Sequence, residues 1–259
     1  MSRSPGCLVS LCALVWAVGG CYSSYNLATQ REEVSFTSTE REIHMGEGLA
    51  KQVVKTYKPV KDEHMRERVQ ALGERLAAYS SRRELPYHFE VVEGDEINAF
   101  TIPGGRIFVN EALVKFAKSD DELAAVLAHE IGHTAARHPV KRYESVMAGS
   151  LGQAILSGVV RDTAFTRGTH AILTQLFLAY SREDELLADR LAVGYVREAG
   201  FNPGAMVQFM ERLKRREQQQ PRPRSYFRTH PYMADRLSVV REAINGTVEF
   251  KDYINRTDE

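Results

Sequence analysis

The stretch AVLAHEIGHTAARH, residues 125–138, contains two histidines four positions apart with a glutamate directly after the first. On an α-helix, positions i and i+4 lie about 40° apart around the axis, so His129 and His133 project from one face. Both imidazoles can therefore reach one tetrahedral zinc ion. Glu130 is placed to remove a proton from a water that zinc has acidified. The alternative is an ordinary helix with incidental polar residues.

A catalytic metal site needs a third protein ligand, and His138 is a poor candidate for it. It lies nine positions after His129, about 180° around the helix. It is predicted instead to be a helix-end residue that binds a last-turn carbonyl. The pattern HExxHxxGxxH, in which a later histidine completes the site, also fails because Ala136 occupies the glycine position.

The stretch SREDELLAD, residues 181–189, offers a better third ligand. Glu185 and Asp189 are four positions apart, so one helix carries two carboxylates on one face. Glu185 would complete a His₂Glu set with a fourth position open for water. Asp189 would accept the second ring N–H of a ligand histidine. Two alternatives stay open: a solvated acidic helix start, or ion pairs with Arg182 and Arg190.

Local patterns place these motifs in a helix-dominated α+β fold. A capping box at 119–122 starts the HEIGH helix near Asp120, and Pro139 stops it by His138. YHFEVVE (87–93) is predicted as a strand. INAFTI and RIFV flank the turn at 103–105, which favours a small antiparallel sheet beside the HEIGH helix. The other helices are predicted at 40–57, 62–79, 140–160, 168–180, 182–199, 203–217 and 231–244.

Residues 1–20 are predicted to be a signal peptide and not part of the fold. The run CLVSLCALVWAV (7–18) has 12 residues, which is too short to span a bilayer but suits a secretory signal core. Small residues follow and lead directly into Cys21, as in a bacterial lipobox, where the cysteine is lipidated. Cleavage near Gly20 without lipidation is the alternative. Cys21 would be the only cysteine of the mature chain, and lipidation gives it a role.

Composition limits the classes of partner. The formal net charge is zero, from 34 basic and 34 acidic side chains, so no broad basic surface is expected and nucleic acid is excluded as a partner. Residues 22–38 are polar, rich in Ser and Thr and without sustained periodicity, and are predicted to be a tether. Beyond residue 21 no apolar run approaches the length of a membrane span.

Four motifs together resemble the M48 family of zinc metallopeptidases: HEIGH (129–133), SREDELLAD, THP (229–231) and, upstream, NAFTIPGGRIFV (98–109). The resemblance covers roughly residues 40–244. It implies a gluzincin-type metallopeptidase domain that binds one Zn²⁺ per chain and acts on polypeptide substrates. Without further membrane spans or a long C-terminal repeat region, the chain is most similar to the shorter periplasmic lipoprotein members, the LoiP type.

The same resemblance assigns roles to residues. His129, His133 and Glu185 become the zinc ligands, Glu130 the general base, and Asp189 the support of a ligand. His230 of THP would lie across the cleft and stabilise the oxyanion; a buried histidine at a helix entrance is the alternative. The arginine that follows THP, Arg236, would orient that region or contact the substrate.

NAFTIPGG resembles the edge strand on which such peptidases hold an extended substrate by backbone pairing. Asn98 and Ala99 would lie nearest the scissile bond and bind substrate. The strand also supplies sheet and core, at Phe100 and Phe108 in particular.

The predicted organisation is a signal peptide (1–20), a lipidated Cys21 with a tether (21–39), a zinc metallopeptidase domain (40–246) and a tail (247–259). The expected function is that of a lipid-anchored endopeptidase. It would be exported, held in the outer membrane facing the periplasm, and would act on misfolded envelope proteins. The alternative function is an envelope chaperone or assembly scaffold with a latent or structural zinc site. The stretch 149–168, rich in glycine, is a candidate lid or a plain packed helix.

Overall fold

The computed structural model describes residues 22–157, 178–219 and 229–246. The predicted signal peptide, Cys21 and the tail lie outside these ranges, as do most of the helix predicted at 168–180 and part of the candidate lid. Within them the fold is helix-dominated α+β, which confirms the predicted class.

Eight helices and five strands form the described part of the chain. The strands are β1 (Tyr22–Asn26), β2 (Arg31–Ser35), β3 (His88–Val92), β4 (Ala99–Ile102) and β5 (Arg106–Asn110). The helices are α1 (Thr39–Thr56), α2 (Glu63–Ala77), α3 (Glu111–Phe116), α4 (Asp120–Ala135), α5 (His138–Ser157), α6 (Arg182–Glu198), α7 (Gly204–Gln218) and α8 (Met233–Asn245).

Helix α4 lies at the centre of the domain. Every residue from Glu122 to Ala135 is buried, as expected of a helix that is covered on all sides. It packs against α2, α6 and α7 and against β4. Its start is the predicted one, because the Ser119 side chain accepts a hydrogen bond from the Glu122 backbone N–H. The two histidines of HEIGH are therefore carried by the most enclosed helix of the fold.

The junction between α4 and α5 is a single sharp turn. Helix α4 ends at Ala135, and Arg137 has a φ of 59°. This left-handed conformation ends the helix. Helix α5 begins at His138, with Pro139 in its first turn, where a missing N–H is tolerated. The chain therefore changes direction immediately before His138.

The central sheet has three strands in the order β3-β5-β4. Strands β4 and β5 are antiparallel, as predicted, and are joined by a turn in which Gly104 and Gly105 have φ of 80° and 77°. Strands β3 and β5 pair in parallel, so the sheet is mixed and not purely antiparallel. Phe100 and Phe108 pair across β4 and β5 and stack at 5.2 Å, which confirms their place in the core.

The segment predicted to be a tether is an ordered antiparallel hairpin, β1–β2, so that prediction is wrong. The inward side chains of the hairpin are polar. Asn26 donates to the carbonyl of Ala135, and Arg137 donates to the Ser35 hydroxyl at 3.2 Å. The hairpin is held by hydrogen bonds to the α4–α5 junction, which hydrophobic periodicity cannot reveal.

None of the helices within the described ranges is long and apolar enough to cross a membrane.

Candidate metal centre

Three predicted ligands meet between α4 and α6. The Nε2 atoms of His129 and His133 lie 3.0 Å apart. Both Nε2 atoms are 3.5 Å from a carboxylate oxygen of Glu185. All three side chains are at most 1% exposed. The i, i+4 spacings on the two helices thus bring two imidazoles and one carboxylate to a single point.

His230 is the fourth member of this cluster. One potential ligand atom from each of His129, His133, Glu185 and His230 lies within 4.8 Å of the others. Its Nδ1 is 3.0 Å from Glu185 Oε1 and 3.3 Å from His129 Nε2. The structure therefore places His230 among the possible ligands and not across a cleft from them, which corrects its predicted position. A shell of four protein ligands is typical of closed zinc sites, whereas catalytic sites keep one position open.

The donor set fits zinc. Imidazole nitrogens and a carboxylate oxygen are ligands of zinc. Beside them, Glu130 is fully buried, and neither of its carboxylate oxygens has a hydrogen-bond partner among the described residues. Burying a carboxylate without a hydrogen bond is costly. The two unbonded oxygens of Glu130 therefore indicate that a hydrogen-bond donor belongs next to them.

Glu130 is suited to proton transfer. Burial raises its pKa above the ordinary value of a carboxyl group, and His230 and His129 offset part of that rise. Its Oε1 lies 3.4 Å from His230 Nε2, close enough for an ion pair although not in hydrogen-bond geometry. A carboxylate whose pKa is moved towards neutrality is a better general base and acid at neutral pH.

Asp189 lies where it was predicted, behind His129. Its Oδ1 is 2.8 Å from His129 Nδ1. This contact fixes the ring and leaves Nε2 facing the cluster. Burial raises the pKa of Asp189 most strongly, but Arg236 and His129 outweigh it and lower the pKa below its ordinary value. Asp189 is therefore an ionised acceptor.

Arg236 holds the carboxylates of the site. Its guanidinium donates to both oxygens of Asp189, at 2.7 and 2.8 Å, and lies 2.9 Å from Glu185 Oε2. The side chain is 1% exposed. The role of Arg236 in substrate binding stays a prediction; in this structure its donors face Asp189 and Glu185. The broader expectation that it orients this region agrees with these contacts.

His138 has a role that the sequence did not reveal. Its Nδ1 is 2.8 Å from His133 Nδ1, and its Nε2 is 3.1 Å from Asp184 Oδ1. It does not bind a last-turn carbonyl, because Arg137 turns the chain and α5 starts at His138 itself. His138 supports His133 from behind as Asp189 supports His129.

Tyr180 is a second residue that sequence reasoning missed. Its ring stacks on His133 with centroids 3.9 Å apart, and the guanidinium of Arg142 covers it at 4.1 Å. The side chain is buried, and its hydroxyl has no hydrogen-bond partner among the described residues. Burial raises the pKa of Tyr180 far above its ordinary value, so the hydroxyl keeps its proton. Its position directly before the SREDELLAD motif was the available signal.

The predicted substrate strand lies against the cluster. Strand β4 is at an edge of the sheet, and the carbonyl oxygen of Ala99 is 3.4 Å from His230 Nε2. Asn98 Oδ1 accepts a hydrogen bond from the Thr229 hydroxyl at 3.0 Å. All of β4 is buried. The roles of Asn98 and Ala99 in substrate binding stay predictions.

Comparison with known proteins agrees with this geometry. Residues 63–244 match the profile of peptidase family M48, and this range includes every possible ligand of the cluster. The chain belongs to peptidase family M48. The predicted resemblance to this family is thereby confirmed.

The relatives within family M48 are proteases. The chain is 30% identical over 220 residues to the beta-barrel assembly-enhancing protease of Escherichia coli (strain K12), an alignment that covers 82% of this chain and 45% of the relative. It is 31% identical over 168 residues to the mitochondrial metalloendopeptidase OMA1 of Schizosaccharomyces pombe, covering 65% of this chain and 50% of that protein. The chain thus spans about half the length of these curated relatives. The expected likeness to the shorter lipoprotein type stays a prediction.

Proposed function

We propose that this M48 chain is a lipid-anchored, zinc-dependent endopeptidase that hydrolyses polypeptides of a bacterial envelope. One observation carries the proposal: the cluster of His129, His133, Glu185 and His230 adjoins the buried carboxylate of Glu130, which has no hydrogen-bond partner among the described residues. Metal ligands beside a carboxylate in this state are what hydrolysis by an activated water requires.

Zinc would be held by His129, His133 and Glu185. When bound there, it supplies a Lewis acid that polarises the substrate carbonyl and acidifies water. Asp189 and His138 keep the two histidine rings oriented from behind. These contacts fix the orientation of the two rings that would bind the metal.

Glu130 carries the proton in the proposed reaction. It takes a proton from the attacking water as the water oxygen bonds to the carbonyl carbon of the substrate. It then gives that proton to the leaving nitrogen as the C–N bond breaks, so the carboxylate is regenerated. The raised pKa of Glu130 favours both halves of this transfer.

His230 is proposed to donate a hydrogen bond to the oxyanion. Its Nε2 faces the side of the cluster that holds Glu130 and the Ala99 carbonyl. Removing a donor of this kind costs roughly 10²–10³ in kcat. In the variant His230→Ala we expect turnover to fall by that amount while zinc content stays near one per chain, measured by elemental analysis. Loss of zinc would instead make His230 a ligand.

The substrate is proposed to be an extended segment that pairs with β4 near Asn98 and Ala99. Edge pairing uses backbone hydrogen bonds and therefore selects unfolded chains and not a particular sequence. Because Glu130 and β4 are buried, part of the chain must move before a polypeptide reaches them. The name of the Escherichia coli relative, a beta-barrel assembly-enhancing protease, supports envelope proteins as the substrate class.

Anchoring is proposed to occur through lipid on Cys21, in the outer membrane and facing the periplasm. The support is the small-residue sequence before Cys21 and the lack of another cysteine after it.

Zinc content and casein cleavage test the catalytic proposal together. The wild type should bind about one zinc per chain by analogy with catalytic sites. Glu185→Ala should lose it, and Glu130→Gln should keep it while turnover falls by roughly 10²–10⁴. A folded wild type without zinc would favour the chaperone or scaffold function, and unimpaired cleavage by Glu130→Gln would refute the role of the base.

A further inference from the structure

The β1–β2 hairpin has its polarity reversed with respect to an ordinary surface hairpin. Its inward face carries Asn26 and Ser35, which are buried, and half-buried Glu33. Its outward face carries the large apolar side chains Tyr25, Leu27, Val34 and Phe36, which are between 57% and 67% exposed. Half-buried sheets normally turn their apolar face to the core, so the outward face lacks a partner within the described residues.

The outward apolar residues form one patch. Ser23 pairs with Val34 and Tyr25 pairs with Glu32, so Tyr25 and Val34 are diagonal neighbours on the same face. Phe36 directly follows β2 and Leu27 directly follows β1, and both are exposed next to the buried Ser35 and Asn26. Four of the eight large hydrophobic residues that are exposed within the described ranges lie in this one hairpin. Scattered exposed apolar residues need no explanation, but a concentration of them indicates a contact surface.

The hairpin cannot turn freely to hide this patch. Lys141 pairs with Glu33 at 2.7 Å, and Glu144 accepts a hydrogen bond from the Ser35 hydroxyl at 2.6 Å. Ala28, in the turn between the strands, is fully buried in the main core. These contacts fix the orientation of the hairpin on the domain, and its apolar face points away from the domain.

We propose that this outward face lies on the lipid bilayer and orients the peptidase domain there. The proposal rests on the lipid anchor of the proposed function. Cys21 directly precedes Tyr22, the first residue of β1. Extended chain advances about 3.3–3.6 Å per residue, so an acylated Cys21 holds Tyr25 within about 15 Å of its lipid. That reach is enough for aromatic and aliphatic side chains to contact the headgroup and acyl boundary, which takes up apolar surfaces to a depth of about 5–10 Å.

A second copy of the chain fits the patch less well. Stable interfaces between proteins bury about 1,200–2,000 Å², and four side chains on a two-stranded hairpin offer much less. A bilayer has no such minimum, because the acyl anchor already supplies most of the attachment and the patch needs only to set the orientation. The hairpin is therefore a membrane-facing element and not a flexible spacer.

Fluorescence of a single tryptophan tests this proposal. Trp16, within the predicted signal peptide, is the only tryptophan of the chain. The full chain is expressed in a bacterial host with the reporter Phe36→Trp, or with the matched control Tyr79→Trp, an exposed aromatic outside the hairpin. Each purified protein is reconstituted into phosphatidylethanolamine–phosphatidylglycerol vesicles with and without brominated acyl chains. We expect bromine to quench the reporter at position 36 at least about twofold more than the control, because only that side chain reaches the acyl boundary.

The outcomes are distinct. Equal quenching of the two reporters overturns the proposal. A blue shift at position 36 that grows with protein density, without bromine quenching, also overturns it and indicates a second copy. Mass spectrometry and casein cleavage on the same preparations report on the proposed function separately. If the protein is lipidated and active but its reporter is not quenched, only the proposal that the hairpin faces the membrane is refuted. If Cys21 carries no lipid, the proposed anchor and the membrane-facing role of the hairpin are both refuted, whereas the proposed peptidase activity is not affected.

Discussion

His133 and His138 face each other through their Nδ1 atoms, 2.8 Å apart. Burial lowers the pKa of His138 well below its ordinary value, so the ring is neutral. Its Nε2 lies 3.1 Å from Asp184 Oδ1, and a carboxylate can only accept, so the proton of His138 is on Nε2. We infer that its Nδ1 accepts the N–H of His133, which leaves the Nε2 lone pair of His133 for the metal.

Replacing His138 should therefore weaken zinc binding without removing a ligand. His138→Ala deprives His133 of the partner that fixes its tautomer, and such supports are worth about 10–100-fold in metal affinity. The control is His44→Ala, because the His44 side chain is 86% exposed on α1. Competition with a chromophoric chelator measures both affinities. Equal affinities of the two variants would show that His138 does not act on His133.

Zinc affinity should increase with pH because of Asp189. Burial and then Arg236 lower the pKa of His129, but Asp189 and Glu185 outweigh them and raise it to about 9. A ligand nitrogen must be unprotonated. Metal binding below that pH thus releases a proton, and the affinity should increase about tenfold per pH unit from neutrality towards pH 9, then level off.

The variant Asp189→Asn tests whether Asp189 causes the pH dependence of zinc affinity. It removes the negative charge that keeps His129 protonated, so the pH dependence of zinc affinity should become flatter over the same interval, although the affinity itself falls. Chelator competition at several pH values gives the two slopes. A slope unchanged by Asp189→Asn would mean that another group releases the proton.

The hydroxyl of Tyr180 should serve the reaction and not the fold. A buried hydroxyl without a partner costs roughly 1–3 kcal/mol. Tyr180→Phe keeps the ring that stacks on His133 and should leave the free energy of unfolding unchanged or higher, with zinc content unchanged. We expect kcat for casein to fall by roughly 10²–10³, as the loss of a donor to a developing charge would cause.

Tyr195 provides the opposite case. Its hydroxyl is 2.9 Å from that of Ser81. Tyr195→Phe should lower the free energy of unfolding by about 1 kcal/mol and leave kcat unchanged, because its hydroxyl contacts Ser81 and not the metal ligands. Full activity in Tyr180→Phe would exclude the hydroxyl from catalysis.

Loss of Arg236 should destabilise the protein more than loss of any exposed ion pair. Arg236→Gln leaves Asp189 and Glu185 buried without their cation, which costs about 3–5 kcal/mol. The control is Arg182→Gln, which removes the ion pair with Asp235. The two side chains of that pair are 51% and 44% exposed, so its loss should cost roughly 0–1 kcal/mol. Denaturant unfolding measures both. A loss below about 1 kcal/mol in Arg236→Gln would contradict the structural role of the pair.

The sequence predicted the parts of the site that depend on local helical geometry. His129 and His133 on one helix, and Glu185 and Asp189 on another, follow from i, i+4 spacing. Predicting His138 required the extra knowledge that Arg137 adopts a left-handed conformation. A continuous helix would have placed His138 on the far side, and the prediction assumed one.

Pairings between segments distant in the sequence were the other feature that local patterns could not predict. Strand β3 pairs in parallel with β5, although β4 lies between them in the sequence. No local pattern specifies that choice of partner. The apolar residues of the β1–β2 hairpin alternate only over short stretches, at 25–27 and 34–36. They face outwards while the polar side chains are buried, so the alternation did not indicate a half-buried strand. Its hydrogen bonds to Ala135 and Arg137 become visible only when the tertiary structure is known.

The close approach of α4 to α6 at Gly132 should be required for the metal site. A Cβ at position 132 would lie 2.8 Å from the carbonyl oxygen of Ala188 and 3.1 Å from its Cα. Both are backbone atoms, so the helices must move apart between His133 and Glu185. Gly132→Ala should lower the free energy of unfolding by about 1–3 kcal/mol and weaken zinc binding.

Gly194, on α6, is the matched control. Nothing lies within 4 Å of the Cβ that alanine would add there, so Gly194→Ala should stabilise the helix by about 0.5–1 kcal/mol and leave zinc affinity unchanged. Denaturant unfolding and chelator competition on the two variants measure both effects. If Gly132→Ala is as stable as Gly194→Ala and binds zinc as tightly, the distance between α4 and α6 does not set the geometry of the ligands.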